Sequence, residues 1–302
     1  MKMLCIDGGG IRGVFAISIL KEIEKEVGKP INQLFNCISG TSTGSIIAAS
    51  IALEVEMGKV LDSYQKYGKK IFVQQAKVGL FRSVYSSQFL RKYLQQEFQE
   101  VSLKDIKHPL LIPAVDLSHG KPFVYRSNYG NLEEQDDNVL LWDAVLSSCS
   151  APIYFEPNNI DNEYLSIDGG LWANNPSLVC MTEAIHHFQT PMSEIKILSI
   201  GTGQQKIDFS IEKKLDWGIN KWLPFTLPSM KVTPKLLDLA LHLSSESVSY
   251  HCKLLLKDHY LRINEELGEE IPFDELESVE YLIDLAKECY ISHKDEILQF
   301  LS

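Results

Sequence analysis

Gly40-Thr41-Ser42-Thr43-Gly44 is the stretch that decides the fold of this 302-residue chain. A G-x-S-x-G sequence holds its serine in a sharp turn between a strand and a helix, with the hydroxyl exposed as a nucleophile. Both flanks suit that turn. Leu34-Phe35-Asn36-Cys37-Ile38 before it is short, apolar and of strand type, and the run from Ser45 to Leu53 after it has the small and apolar residues of a buried helix. Gly40 and Gly44 lack the Cβ that would block close helix-strand packing. The competing reading is a polar loop that caps a helix, with Ser42 or Thr41 as the N-cap.

Two further segments bear on the choice. Met3-Leu4-Cys5-Ile6 reads as a strand running into Asp7-Gly8-Gly9-Gly10-Ile11-Arg12-Gly13, and Val14, Ile17, Leu20, Ile23 and Val27 then repeat at helical spacing. A glycine loop opening a helix presents backbone N–H groups at the positive end of the helix dipole, which suits a phosphate or a developing oxyanion. Tyr164-Leu165-Ser166-Ile167-Asp168-Gly169-Gly170 is a short strand ending in an acid on a glycine turn. The loop also fits a dinucleotide fingerprint at Gly8, Gly10 and Gly13. That fingerprint expects a ribose-binding acid at the end of the second strand, where this chain has the serine elbow instead.

The glycine loop, the serine elbow and Asp168-Gly169-Gly170, in this order, resemble the patatin-like phospholipase family. Ser148-Cys149-Ser150-Ala151-Pro152-Ile153-Tyr154-Phe155-Glu156-Pro157 is similar to that family's S-x-A-P-x-x-F-x-P stretch, and Asn174-Asn175-Pro176 follows the acid as it does there. The resemblance covers residues 1–203, ending at Ile200-Gly201-Thr202-Gly203, with one further family-like strand at Tyr260-Leu261-Arg262-Ile263. It implies a lipid acyl hydrolase in which Asp168 takes the proton of Ser42 and an acyl-enzyme forms and is hydrolysed. Gly8, Gly9, Gly10, Arg12 and Gly13 would supply the oxyanion hole. Thr41 and Thr43 complete the elbow. Arg12 has two readings, approach to an oxyanion or lipid phosphate, and pinning of the loop through carbonyls.

A free aspartate with a pKa near 3.9 is a weak base for a hydroxyl, so burial has to raise Asp168 or the transfer has to be concerted. A Ser-His-Asp triad is disfavoured because several strands normally precede the nucleophile in that fold. His186, His187, His242, His251, His259 and His293 all lie outside glycine-flanked turns. Neither Asp7 nor Asp168 sits in a D-x-D-x-D-G pattern, so no metal and no cofactor is expected.

The remaining pattern alternates strands and helices. Helices are expected near 59–70, 87–99 and 139–149 and from Pro176 to Phe188. Strands are expected at Leu110–Asp116, Pro122–Tyr125 and Ile195–Ile200. The fold class is therefore α/β, a mostly parallel sheet with helices on both faces. Residues 1–203 form the catalytic part and 204–302 a helix-rich extension packed on the same domain. Within it, Glu275 to Tyr290 reads as an amphipathic helix turned to the core.

Six cysteines without C-x-x-C spacing, a strand beginning at residue 2 or 3, and the lack of 18 uninterrupted apolar residues point to a cytoplasmic protein without signal peptide or membrane span. A net charge of −11 argues against a nucleic-acid partner. Lys213, Lys214, Lys221, Lys231 and Lys235 alternate with Trp217, Trp222, Phe225 and Met230. That interleaving suits a peripheral membrane contact or a lid, and equally a loop packing its aromatics inward. Three function classes follow. They are a constitutive lipid hydrolase, an effector opened by a small-molecule activator or self-assembly, and a pseudoenzyme, which the intact serine, acid and glycine loop disfavour.

Overall fold

The computed structural model describes residues 1–73, 75, 83–129, 138–205, 225–226, 231–232, 235–268 and 271–302. Ten strands occur among them: β1 (Lys2–Ile6), β2 (Cys37–Gly40), β3 (Leu110–Asp116), β4 (Lys121–Arg126), β5 (Asn158–Ile160), β6 (Tyr164–Asp168), β7 (Lys196–Ile200), β8 (Phe225–Thr226), β9 (Lys231–Val232) and β10 (Tyr260–Ile263). The main sheet has the order β10-β7-β1-β2-β3-β6-β5, with β4 also on β3. It is parallel from β10 to β3 and antiparallel beyond.

The central strands β1 and β3 read as near-continuous apolar runs because both faces of the sheet are covered there. In β1, Leu4 and Ile6 enter a core built with helices α1 (Gly13–Val27), α2 (Thr43–Ala52) and α3 (Met57–Ile71), whereas Met3 and Cys5 enter a second core. That second core contains Cys180 and Ala184 of the Ser177–His186 helix and Val248 and Cys252 of the Lys235–Leu256 helix. All six cysteines are free and buried.

The second strand differs from the expected Leu34–Ile38. It begins at Cys37, opposite Met3, while Ile31–Gln33 forms a 3-10 turn and Phe35 packs into the core. The turn and the Asn36 N–H bond to the Lys2 carbonyl at 2.7 Å delay the ladder by three residues. β5 was not expected, since three residues with two asparagines carry no strand period. The extension joins the same sheet through β10, which pairs with β7. Its last helix, Val279–Leu301, is longer than the pattern from Glu275 to Tyr290 suggested, and buries Leu282, Ile283 and Ala286 in the core shared with α1. Trp217 and Trp222 lie outside the described residues, as do Lys213, Lys214, Lys221 and Met230, and Phe225 opens β8. Among the described residues no helix is long and apolar enough to cross a membrane.

Candidate active site

Parallel pairing brings three loops to one edge of the sheet. Ile6 lies opposite both Gly40 and Ile200, so the chain leaves β1, β2 and β7 side by side, as Asp7–Gly10, Thr41–Ser42 and Gly201–Thr202. Such a crevice outside the carboxyl ends of the strands is where open α/β sheets bind ligands. β3 supplies the fourth member. Ser39 pairs with Leu111, which carries the elbow up to the level of Ala114, and Ala114 is the partner of Asp168 on β6.

Ser42 sits at φ 53°, ψ −125°, with no side-chain cap to the helix that follows. A serine in that region carries strain of order 1–3 kcal/mol, and although Ser42 is the N-cap residue its hydroxyl caps no N–H of the helix. The turn is this tight because α2 lies directly on the strands. A Cβ on Gly40 would stand 1.9 Å from the Gly44 carbonyl oxygen, and one on Gly44 would stand 2.3 Å from that of Ile6. Three hydrogen bonds hold the elbow from outside. The Thr41 hydroxyl donates to Ala173 O at 2.6 Å, Ser42 N–H donates to Ser148 Oγ at 2.9 Å, and the Ser148 hydroxyl donates to Pro113 O at 2.6 Å. Thr43 bonds to the Tyr64 hydroxyl.

Asp168 is 5% exposed. Its carboxylate accepts the Gly170 N–H at 2.7 Å, and it borders the same cavity as Ser42. Burial raises its pKa from 3.8 to about 6, with Ser42 and the Gly170 N–H acting in the opposite direction. Gly169 precedes the short helix Gly170–Ala173, whose first N–H is the one that reaches the carboxylate.

Ser42, Asp168, Gly9 and Gly10 share the wall of a cavity with about 850 Å³ of space free of protein atoms, part of it open to solvent. Tyr67, Phe72, Leu90, Tyr93, Phe155 and Phe273 make most of the rest of it apolar. Gly8, Arg12 and Gly13 lie behind that wall. Gly8 N–H donates to Asn174 O at 3.1 Å and Ile11 N–H to Phe273 O at 2.8 Å. Among the described residues the N–H groups of Gly9 and Gly10 have no acceptor. Arg12 is buried, its Nε donating to Gly9 O at 3.3 Å and its guanidinium lying 4.4 Å from the centre of the Phe273 ring. Burial lowers its pKa to about 10, which leaves it charged at neutral pH. This is the loop-pinning geometry.

No histidine lines the cavity among the described residues. One group of metal-type ligands occurs among them, Glu265, Cys289 and His293, whose ligand atoms lie within 4.8 Å of one another and which does not border the cavity. Sequence inspection did not single out Tyr64 or Phe273, which act from distant helices and loops. Ser148 and Thr202 did lie within quoted motifs, with no local sign of what they would touch.

Fold and site together define an α/β protein whose elbow serine and buried aspartate meet over an apolar cavity. The chain belongs to the patatin-like phospholipase family, whose model matches residues 4–181. It is 28% identical to a cGAMP-activated phospholipase of Pseudomonas aeruginosa, covering 87% of this chain and 78% of that one. It is 28% identical to patatin-like protein 1 of Arabidopsis thaliana, covering 98% and 80%. It is also similar to human calcium-independent phospholipase A2-gamma, 30% identical over 91% of this chain and 36% of that protein.

Proposed function

We propose that this protein hydrolyses carboxylic ester bonds of phospholipids or related lipids through a Ser42–Asp168 dyad. The observation that carries the proposal is the convergence of the elbow serine and a buried aspartate on the wall of one apolar cavity. Asp168 with a pKa near 6 is ionised at neutral pH and more basic than a free aspartate. It takes the Ser42 proton as Oγ attacks the ester carbonyl, and returns it to the departing alkoxide. The carbonyl oxygen becomes an oxyanion facing the Gly9 and Gly10 N–H groups, and each such donor contributes roughly 2.7–4 kcal/mol to the transition state. Water, deprotonated by the same carboxylate, then releases the fatty acid and restores Ser42. The aromatic cavity suits an acyl chain.

No step needs a metal ion, a reading supported by the name of the human relative, calcium-independent phospholipase A2-gamma. A second reading, a hydrolase silent until a small molecule opens the site, is favoured by the relative named as cGAMP-activated. Purified protein on mixed phospholipid vesicles in EDTA, with and without a cyclic dinucleotide, tests both. Fatty-acid release that Ser42→Ala and Asp168→Asn each abolish supports the dyad. Release only with the dinucleotide supports gating. Activity surviving Ser42→Ala in a folded protein overturns the mechanism.

A further inference from the structure

A trans peptide is planar, with its C=O and N–H on opposite sides, so whatever holds the carbonyl aims the following amide. This matters at the glycine loop, where residues without side chains leave the peptide planes free to turn over. Each of the three glycine carbonyls meets a side-chain donor. The Thr202 hydroxyl donates to Gly8 O at 2.9 Å, Arg12 Nε to Gly9 O at 3.3 Å and the Tyr64 hydroxyl to Gly10 O at 2.7 Å. The amides opposite these carbonyls belong to Gly9, Gly10 and Ile11. The Ile11 amide is engaged with Phe273 O, while those of Gly9 and Gly10 belong to residues that line the cavity.

We propose that Thr202 is a positioning residue for the reaction: its hydroxyl holds the Gly8 carbonyl away from the cavity and thereby keeps the Gly9 N–H turned toward the oxyanion. The inference rests on the hydrolase reading given above. Thr202 is well placed for the task. It is 4% exposed, and a Cβ on Gly9 would stand 2.1 Å from its Oγ1, so hydroxyl and loop are in direct contact. Its own turn is fixed from β10, with Gly201 N–H donating to Ile263 O at 2.8 Å and Gly203 N–H to Asn264 Oδ1 at 3.0 Å. Apart from Thr202, Gly8 O has among the described residues only the Asn174 amide, at 3.5 Å, the outer limit of a hydrogen bond. Loss of the threonine hydroxyl therefore leaves a buried carbonyl poorly satisfied, and rotation of the Gly8–Gly9 peptide relieves it by presenting oxygen where the oxyanion needs hydrogen.

Thr202→Val keeps the side-chain shape and deletes the donor, and Thr202→Ser keeps the donor. On a short-chain soluble ester, Thr202→Val should lower kcat by about tenfold to a hundredfold, the scale of a misplaced catalytic group, with KM little changed. Inactivation by a fluorophosphonate, which becomes tetrahedral at Ser42, should slow by the same factor. Thr202→Ser should recover most of both rates. Wild-type rates in Thr202→Val overturn the inference, as does a Thr202→Ser protein as impaired as the valine variant. Should the valine variant not fold, Thr202→Ala against Thr202→Ser makes the same comparison. Wild-type protein that takes up no fluorophosphonate at Ser42 would instead remove the dyad reading itself.

Discussion

Asp7 and Arg262 stand 255 residues apart in the chain and meet as a bidentate pair, Nη1 to Oδ1 at 2.7 Å and Nη2 to Oδ2 at 2.5 Å. The Ser245 hydroxyl donates to the same carboxylate at 2.6 Å, and Arg262 also donates to Ser199 Oγ at 2.8 Å. These bonds tie β1, β7, β10 and the Lys235–Leu256 helix together directly behind the glycine loop. Arg262→Met leaves the Asp7 carboxylate buried without its partner, which should cost about 3–5 kcal/mol. Urea denaturation reads this as a lower midpoint. The double variant Asp7→Asn, Arg262→Met should regain part of the loss, and a wild-type midpoint in the single variant would mean that the pair contributes nothing.

Asp168 carries an opposite sign. Its folded pKa, about 6, lies above the 3.8 of a free aspartate because burial disfavours the charge. The protonated form is thus the one the fold accepts. Its contribution is fully present below pH 3.8 and is lost as pH rises through 6, a difference of about 3 kcal/mol at neutral pH. Asp168→Asn should therefore unfold at higher temperature than wild type at pH 8, with the gap closing toward pH 4, while hydrolysis is lost. In the wild type, kcat should fall as pH drops through about 6. Equal melting temperatures at pH 8 would contradict the burial argument.

The elbow admits no side chain at its second glycine. Gly44→Ala drives a Cβ into the Ile6 carbonyl, which is backbone in the centre of the sheet, and should destabilise by about 3 kcal/mol or more. Gly58→Ala, in α3 with nothing within 4 Å of the new Cβ, should stabilise by about 0.5–1 kcal/mol through helix propensity. Thermal melts of the two variants check the contrast, and a neutral Gly44→Ala would refute the packing of α2 on β1.

Trp217→Ala combined with Trp222→Ala separates the two readings of the lysine and tryptophan segment. Tryptophan favours the headgroup layer, and each lysine near an anionic surface adds about 1 kcal/mol of attraction. Weaker vesicle binding and vesicle hydrolysis with a soluble ester spared is the expected result. Joint loss of both substrates and of thermal stability would assign the rings to packing.

Much of this site could be read along the chain because its parts are short and geometrically restrictive. A serine at φ 53° needs Gly40 and Gly44 around it, Gly10 at φ 59° needs glycine, and an acid on a D-G-G turn receives an amide two residues on. Those requirements leave marks within five to seven residues, and the strand-helix alternation leaves its own period. The second strand was misplaced by three residues for a related reason, since Leu34 and Phe35 are apolar for the core and not for a ladder.

Local sequence thus carried the short devices, namely the serine turn, the glycine loop and the acid turn, and an α/β framework to hold them. It took the assembled sheet to bring Ser42 and Asp168 level across β3, to engage the Gly8 amide with Asn174 O while those of Gly9 and Gly10 find no acceptor among the described residues, and to set Thr202, Tyr64 and Arg262 against the loop. The physical reason lies in the strands. The central strands β1 and β3, buried on both faces over most of their length, are largely apolar, so hydrophobic periodicity there carries no record of strand order or register. Contacts between residues 194 or 255 positions apart exist only once that order is set.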